Sequence, residues 1–289
     1  MTYQGQSVIE IRNSNSRILL APQHGGRLLL WELNGQTIIH WPDDADWSNP
    51  LKIRGGNPIL FPFIARHFVN GELGLWQDAE GVVREMPMHG FARSAEFSSK
   101  VTDSGCVMSL EDSPSTHPFY PFRFLFEVEY ILGTGTLEVI LTTHNRSSLA
   151  MPYYAGHHFY FKLPRQDRQD WFLDLEAETY GRQNPDGSIA TAPSPQKPLC
   201  LADPDLIDLY HIHPRSPHFR LHQRSAPRHI SFELDGPLWH SVTSWTQHQD
   251  SDFYCVEPWL GLPNAIHHGQ GLRWLEPGKK ESARLLIRC

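Results

Sequence analysis

Apolar and polar side chains alternate with a period of two along several short stretches. In residues 123–132, Phe124, Phe126, Val128, Tyr130 and Leu132 share one face, and Arg123, Glu127 and Glu129 share the other. After Gly133-Thr134-Gly135, Leu137, Val139 and Leu141 alternate with Glu138 and Thr142. This pair predicts a β-hairpin. Trp171, Leu173, Leu175 and Ala177 oppose Phe172, Asp174, Glu176 and Glu178 in the same way. Further strands are predicted over residues 7–12, 17–21, 27–33, 106–110, 229–234, 253–258 and 283–289.

No window holds an apolar stripe of helical period through three turns with caps at both ends. Short strands separated by turn signals predict an all-β fold, a large antiparallel sandwich or barrel. The chain shows no internal repeat. Residues 183–227 are rich in Pro, Ser and His and are read as a long loop region within one domain that spans residues 1–289.

Composition narrows the classes. With 25 Lys and Arg against 32 Asp and Glu, the net charge is −7, which argues against nucleic acid as a partner. The 21 glycines and 23 prolines suit a turn-rich chain, and nine tryptophans supply apolar surface to bury. Cys106, Cys200, Cys255 and Cys289 form no C-x-x-C pair and are expected to be free thiols in a reducing compartment. The longest apolar stretches reach about half the roughly 20 residues of a membrane helix. The N-terminal residues lack a basic region followed by a long apolar run. The expectation is a soluble, cytoplasmic protein with no membrane partner.

Seventeen histidines stand out, most of them expected to serve the surface or the core. Three segments offer chemistry. The first joins Arg54-Gly55-Gly56-Asn57-Pro58, an apolar run ending at Ala65-Arg66, and Met88-His89-Gly90-Phe91-Ala92-Arg93. Its glycines and prolines force an irregular backbone, where site residues are often placed. The second is Gly156-His157-His158-Phe159-Tyr160. On a strand the two histidines face opposite ways, so only one reaches a given site. The third is Tyr254-Cys255-Val256-Glu257-Pro258-Trp259, where a carboxylate sits in an apolar strand. Burying it is costly unless it is paired or functional.

In this order, the segments RGGNPILFPFIAR, HGFAR, GHHFYFKLP, YCVEPW and WLEPGKKESARL resemble the aldose 1-epimerase (mutarotase) family over roughly residues 20–289. The resemblance implies a galactose-mutarotase-like β-sandwich and reversible exchange of the α and β anomers of a free aldose. It implies Glu257 as catalytic base at the C1 hydroxyl, His158 as acid at the ring oxygen and His89 as a second site histidine. Phe159 replaces the proline usual between the family's second histidine and its tyrosine. Arg66 falls on the sugar-binding arginine, with Ala65 where a glycine is usual. A sugar-binding aspartate falls on Asp208 or Asp205. Trp259 and Phe91 are candidate apolar faces for the sugar ring, and Arg93 is an ion-pair partner or a ligand.

A carboxylate and an imidazole suffice for the two proton transfers, so no metal or organic cofactor is expected. A hexose-6-phosphate epimerase of the same superfamily would need cations beside C6. Arg66, Arg93 and Lys162 are candidates, but the sequence shows no basic cluster. A cupin-type metal enzyme could draw on His89, His157, His158 and Glu257, but its ligand spacing is absent. A catalytically silent sugar-binding module is the remaining alternative. Monomer and homodimer both fit.

Overall fold

Two antiparallel sheets dominate the computed structural model, which describes residues 1–289. The larger has nine strands and contains the anticipated hairpin. Phe124–Gly133 pairs with Thr136–Asn145, with Phe124 opposite Asn145 and Gly133 opposite Thr136. On both strands every second side chain is buried. The sheet then runs through Lys280–Arg288, His229–Asp235 and His218–Gln223.

The second sheet has eight strands and carries the candidate site. Its order passes from Ala177–Gln183 through Leu209–Pro214 and Ser241–Trp245 to the central Phe253–Trp259, then to Gly156–His157 and Ile59–Leu60. Phe159–Lys162 also pairs with Phe253–Trp259. Tyr254, Val256 and Phe161 turn one face toward the larger sheet, where Phe161 meets Phe232 edge-on at 5.3 Å between ring centres. A contiguous core of 66 buried side chains extends from Ile11 to Ile287. The opposite face, with Cys255, Glu257 and Trp259, looks away from the sandwich. The architecture is the galactose-mutarotase-like β-sandwich expected from the resemblance.

Two readings need correction. The alternation over residues 171–178 is not one strand. Trp171–Asp174 belongs to the larger sheet and Ala177–Gln183 to the smaller, yet Trp171, Leu173, Leu175 and Ala177 stay buried through the corner. Nor is 183–227 simply loop. It supplies Ile189–Ala192 and Leu209–Pro214 to the smaller sheet and Leu199–Cys200 and His218–Gln223 to the larger. Leu209, Tyr210, His211 and Ile212 are all buried, so no alternation marks them. His211 interrupts the apolar pattern but bonds Ser244 Oγ at 3.0 Å through Nε2. No helix is long and apolar enough to cross a membrane. All four cysteines are free.

Burial holds several imidazoles neutral. His67, His157 and His211 are each pushed down to about 3, chiefly by desolvation. Their folded values lie below the unfolded value of about 6.5, so the unfolded chain takes up protons first as pH falls. The stability they contribute is complete above pH ~6.5 and is lost toward pH ~3, at up to about 1.4 kcal/mol per pH unit for each. Urea midpoints should therefore drop steeply between pH 7 and 5. A midpoint flat over that interval would contradict neutral burial of these three rings.

Candidate active site

The cavity lies on the outward face of the smaller sheet, and strand register explains its composition. Gly156 pairs with Trp259, and Phe159 pairs with Val256. The same register sets His158 opposite Glu257. On the other side Thr243 pairs with Glu257, and Tyr210 pairs with Thr243. Tyr210, Thr243, Glu257 and His158 thus form one cross-strand row, whose side chains share a face. Two residues along lies a parallel row with Trp245, Cys255 and Tyr160. Trp259 stands on the other side. Gly156 is required there, because a Cβ at 156 would come within 2.6 Å of the Trp259 ring.

Tyr210, Thr243, Glu257, His158, Trp245 and Trp259 floor a cavity of about 250 Å³, at the small end of ligand sites, which start near 300 Å³. The irregular segments 54–66 and 88–93 form its wall. His89 is built into that wall by a reciprocal pair of hydrogen bonds. The His89 N–H donates to Ala65 O at 2.8 Å, and the Ala65 N–H donates to His89 Nδ1 at 3.1 Å. Because Nδ1 accepts, the neutral ring carries its proton on Nε2 and presents a donor. Both residues adopt left-handed backbone, φ 67° at His89 and 56° at Ala65. Gly90 follows at φ 74°, where a Cβ would strike Phe61 O. The Ala65 departure therefore keeps a conformation that glycine adopts freely.

His158 sits where its strand breaks between Gly156–His157 and Phe159–Lys162. Its main-chain N–H donates instead to Asn57 Oδ1 at 2.9 Å. Asn57 is fully buried, and its amide also reaches Tyr130 Oη and His157 Nδ1. The His158 ring stacks on Tyr160 at 4.8 Å and lies 5.3 Å from the His89 ring. Its Nδ1 is 3.5 Å from Glu257 Oε1. Buried without hydrogen-bond partners are His158 Nδ1, Glu257 Oε2 and Thr243 Oγ1. Of these, Glu257 Oε2 and Thr243 Oγ1 in one buried row mark a place where a polar ligand completes the bonding. His157 points the other way, wholly buried and stacked on Trp239.

Electrostatics divide the cavity. Burial raises Glu257 well above the ordinary carboxylate value, and the Asp208 charge raises it further. Burial depresses His158 well below the usual imidazole value, aided by Arg93, Arg54 and Arg27. Asp208 and Arg66 face each other at the exposed rim.

Of the residues singled out in the sequence, the cavity brings together His89, His158, Glu257, Arg66, Asp208 and Trp259. Asp205 lies outside it. The 3₁₀ turn Pro204–Leu206, capped by Asp203 Oδ1 accepting from the Asp205 N–H, turns that side chain to solvent. Phe91 also lies outside, packed with Phe61, Tyr120 and Phe124 beneath the wall. Lys162 lies away from the cavity at the far end of its strand. The sequence reading missed Thr243, Tyr210, Trp245 and Gln183, and gave Arg54 no role. Only the register exposes the first three, because SVTSW and LYHIHP carry no local signal.

A metal would find His158, Cys255 and Glu257 with ligand atoms within 4.8 Å of one another. The field of Arg27, Arg54 and Arg93 beside His158 opposes a cation there. His157 faces away, so the cupin-type set does not converge.

A concave antiparallel sheet presenting a buried carboxylate beside two imidazoles places the chain among mutarotase-like β-sandwich proteins. The chain belongs to the aldose 1-epimerase family, whose model matches residues 7–288. It is 23% identical over 284 residues to the plasmid-encoded protein LacX of Lactococcus lactis subsp. lactis, covering 90% of both chains. Its structure is similar to that of the Slr1438 protein from Synechocystis, at TM-score 0.84 and 23% identity, covering 100% and 98% of the two chains. It is also similar to a galactose mutarotase-like protein from Lactobacillus casei, at TM-score 0.80 and 22% identity, covering 98% and 99%.

Two outcomes follow from this geometry. Replacing Ala65 with glycine relieves left-handed strain and should raise stability by about 1 kcal/mol, read as a higher denaturant midpoint. A lower midpoint would contradict it. Asp208→Asn removes the charge that helps hold the Glu257 proton on. The titration of Glu257, followed by NMR of its labelled carboxyl, should then move to lower pH, and an unmoved titration would show that Asp208 does not act on Glu257.

Proposed function

We propose that the protein is an aldose 1-epimerase, interconverting the α and β anomers of a free aldohexose. The observation that carries this reading is the direct opposition of Glu257 and His158 across one strand pair, with His89 beside them.

A pyranose exchanges anomers by opening. The C1 hydroxyl loses a proton, the ring oxygen gains one, and the C1–O5 bond breaks to leave an open aldehyde. Rotation about C1–C2 and the reverse transfers close the ring on the other face. In the working form one proton rests on His158 and Glu257 is ionised. Glu257 takes the C1 hydroxyl proton while His158 donates through Nε2, the ring nitrogen left to the cavity when Nδ1 is buried. Closure returns both protons, so the enzyme is unchanged over the cycle.

The opposed pKa shifts suit these roles. A raised Glu257 is a stronger base, and a depressed His158 is a stronger acid once protonated. The two residues titrate as a pair. The Nε2–H of His89 donates to the ring oxygen as charge develops, or to a neighbouring hydroxyl. Thr243 Oγ1, Arg66 and Asp208 offer further hydrogen bonds to sugar hydroxyls, and Trp259 offers an apolar face. None of these steps calls on a cofactor.

Polarimetry on freshly dissolved α-glucose and α-galactose tests the proposal. Wild type should speed the approach to equilibrium. Glu257→Gln and His158→Asn should each lower the enzymatic rate by about 10²–10⁴-fold with the fold retained. Near-normal turnover in either variant would overturn the assignment. A sugar-binding module would leave the rate at its uncatalysed value while still binding sugar.

A further inference from the structure

The side of the cavity remote from His158 holds a side chain with no part in the two proton transfers. Gln183 ends the strand Ala177–Gln183 and lines the cavity with Arg66, Asp208 and Tyr210. Its carboxamide is anchored by one end only. Nε2 donates to the main-chain oxygen of Arg66 at 3.1 Å and to that of Gly187 at 3.4 Å. Both amide hydrogens are thereby used, and a flipped amide would set Oε1 against two carbonyl oxygens. The other end is free: Oε1 is buried and accepts from nothing in the protein. A carboxamide oxygen is an acceptor, and leaving it without a donor away from water is costly. Asp208, on the same rim, is set in place independently. It adopts left-handed backbone at φ 55°, and the Arg182 guanidinium donates to the Asp205 and Ile207 carbonyls just before it.

Strand order and the connectivity of a pyranose together say which donor meets that oxygen. From His158 the row runs through Glu257, Thr243 and Tyr210, and Gly181 lies opposite Tyr210 on the next strand. With O5 at His158 and the C1 hydroxyl at Glu257, the other ring neighbour of C1 is C2, which lies toward Thr243. C3 follows C2 in the same direction. Gln183 is on the strand of Gly181, at the far end of this line. Resting on the anomer-exchange reading above, we propose that Gln183 is a substrate-binding residue that determines specificity at C3, its Oε1 accepting a hydrogen bond from the C3 hydroxyl. An acceptor fixed in this way rewards a sugar that brings a hydroxyl to it and penalises one that does not. The same carboxamide ties the Arg66 main chain, so the acceptor and the arginine of the rim are placed as one unit.

Polarimetry on D-glucose, 2-deoxy-D-glucose and 3-deoxy-D-glucose, with wild type and Gln183→Met, tests the inference. Methionine keeps the length of the side chain and removes the acceptor. On the unaltered protein, 3-deoxy-D-glucose should show a kcat/KM about tenfold below that of D-glucose, the scale of one buried acceptor left unpaired. This readout does not depend on whether a variant folds. Gln183→Met should lower kcat/KM for D-glucose and 2-deoxy-D-glucose about tenfold more than for 3-deoxy-D-glucose, which lacks the bond already. Release of the Arg66 main chain would act on all three sugars alike, so the difference between sugars isolates the C3 contact. An equal loss on all three sugars, no loss on D-glucose, or 3-deoxy-D-glucose exchanged by wild type as well as D-glucose would each overturn this inference and leave anomer exchange standing. Acceleration of no sugar at all would overturn the anomer-exchange reading and this inference with it.

Discussion

A carboxylate inside an apolar strand sets the terms for this molecule. Glu257 is 1% exposed, flanked along its strand by Val256 and Pro258. Water cannot stabilise its charge, so neighbours must. By register the fold sets Thr243 on one adjoining strand and His158 on the other, yet Glu257 Oε2 and Thr243 Oγ1 have no hydrogen-bond partner in the protein. Burial, the largest cause, pushes the carboxylate's affinity for protons up and the imidazole's down, with Asp208 adding to the first and Arg93, Arg54 and Arg27 to the second. The same physics that makes the pair expensive to bury makes it effective at trading protons. Its location at the centre of the sheet holds both groups in a fixed relation, as a preorganised site requires.

The wall is built at the cost of local strain. His89 and Ala65 hold each other in left-handed backbone through two hydrogen bonds, and Gly90 slips past Phe61 where no side chain fits. Such strain persists only where the surroundings over-determine it. Here the Phe61, Phe91, Tyr120 and Phe124 rings pack behind the wall, with Phe61 stacked on Phe126 at 4.1 Å. Asn57 plays the corresponding part for His158, replacing a strand hydrogen bond at the break so that the imidazole lies across from Glu257. The residues that touch no substrate therefore fix the direction of those that would.

Much of the sandwich was legible because one side of each long hairpin strand is buried and the other is not. Phe124–Gly133 and Thr136–Asn145 show this directly. Leu209–Pro214 was not legible, since it is covered on both faces and carries a buried histidine. The sequence also indicated that only one of His157 and His158 could face a given site, from strand geometry, and the resemblance pointed to His158. The rest of the cavity floor depends on which strands lie side by side. Tyr210, Thr243 and Glu257 are separated by 33 and 14 residues in the chain, and nothing local links them. Arg54 and Arg93 were scattered cations in sequence, and only the folded wall sets them beside the same imidazole. Asp205 and Asp208 were indistinguishable until the capped turn at Asp203 turned one of them to solvent.

The relation between Glu257, His158 and a bound pyranose is the centre of this account. A crystal structure of the protein with an aldohexose bound tests it most directly. The account predicts the anomeric hydroxyl within hydrogen-bonding distance of the Glu257 carboxylate and the ring oxygen facing His158 Nε2. A sugar bound with its anomeric carbon remote from both residues would contradict it.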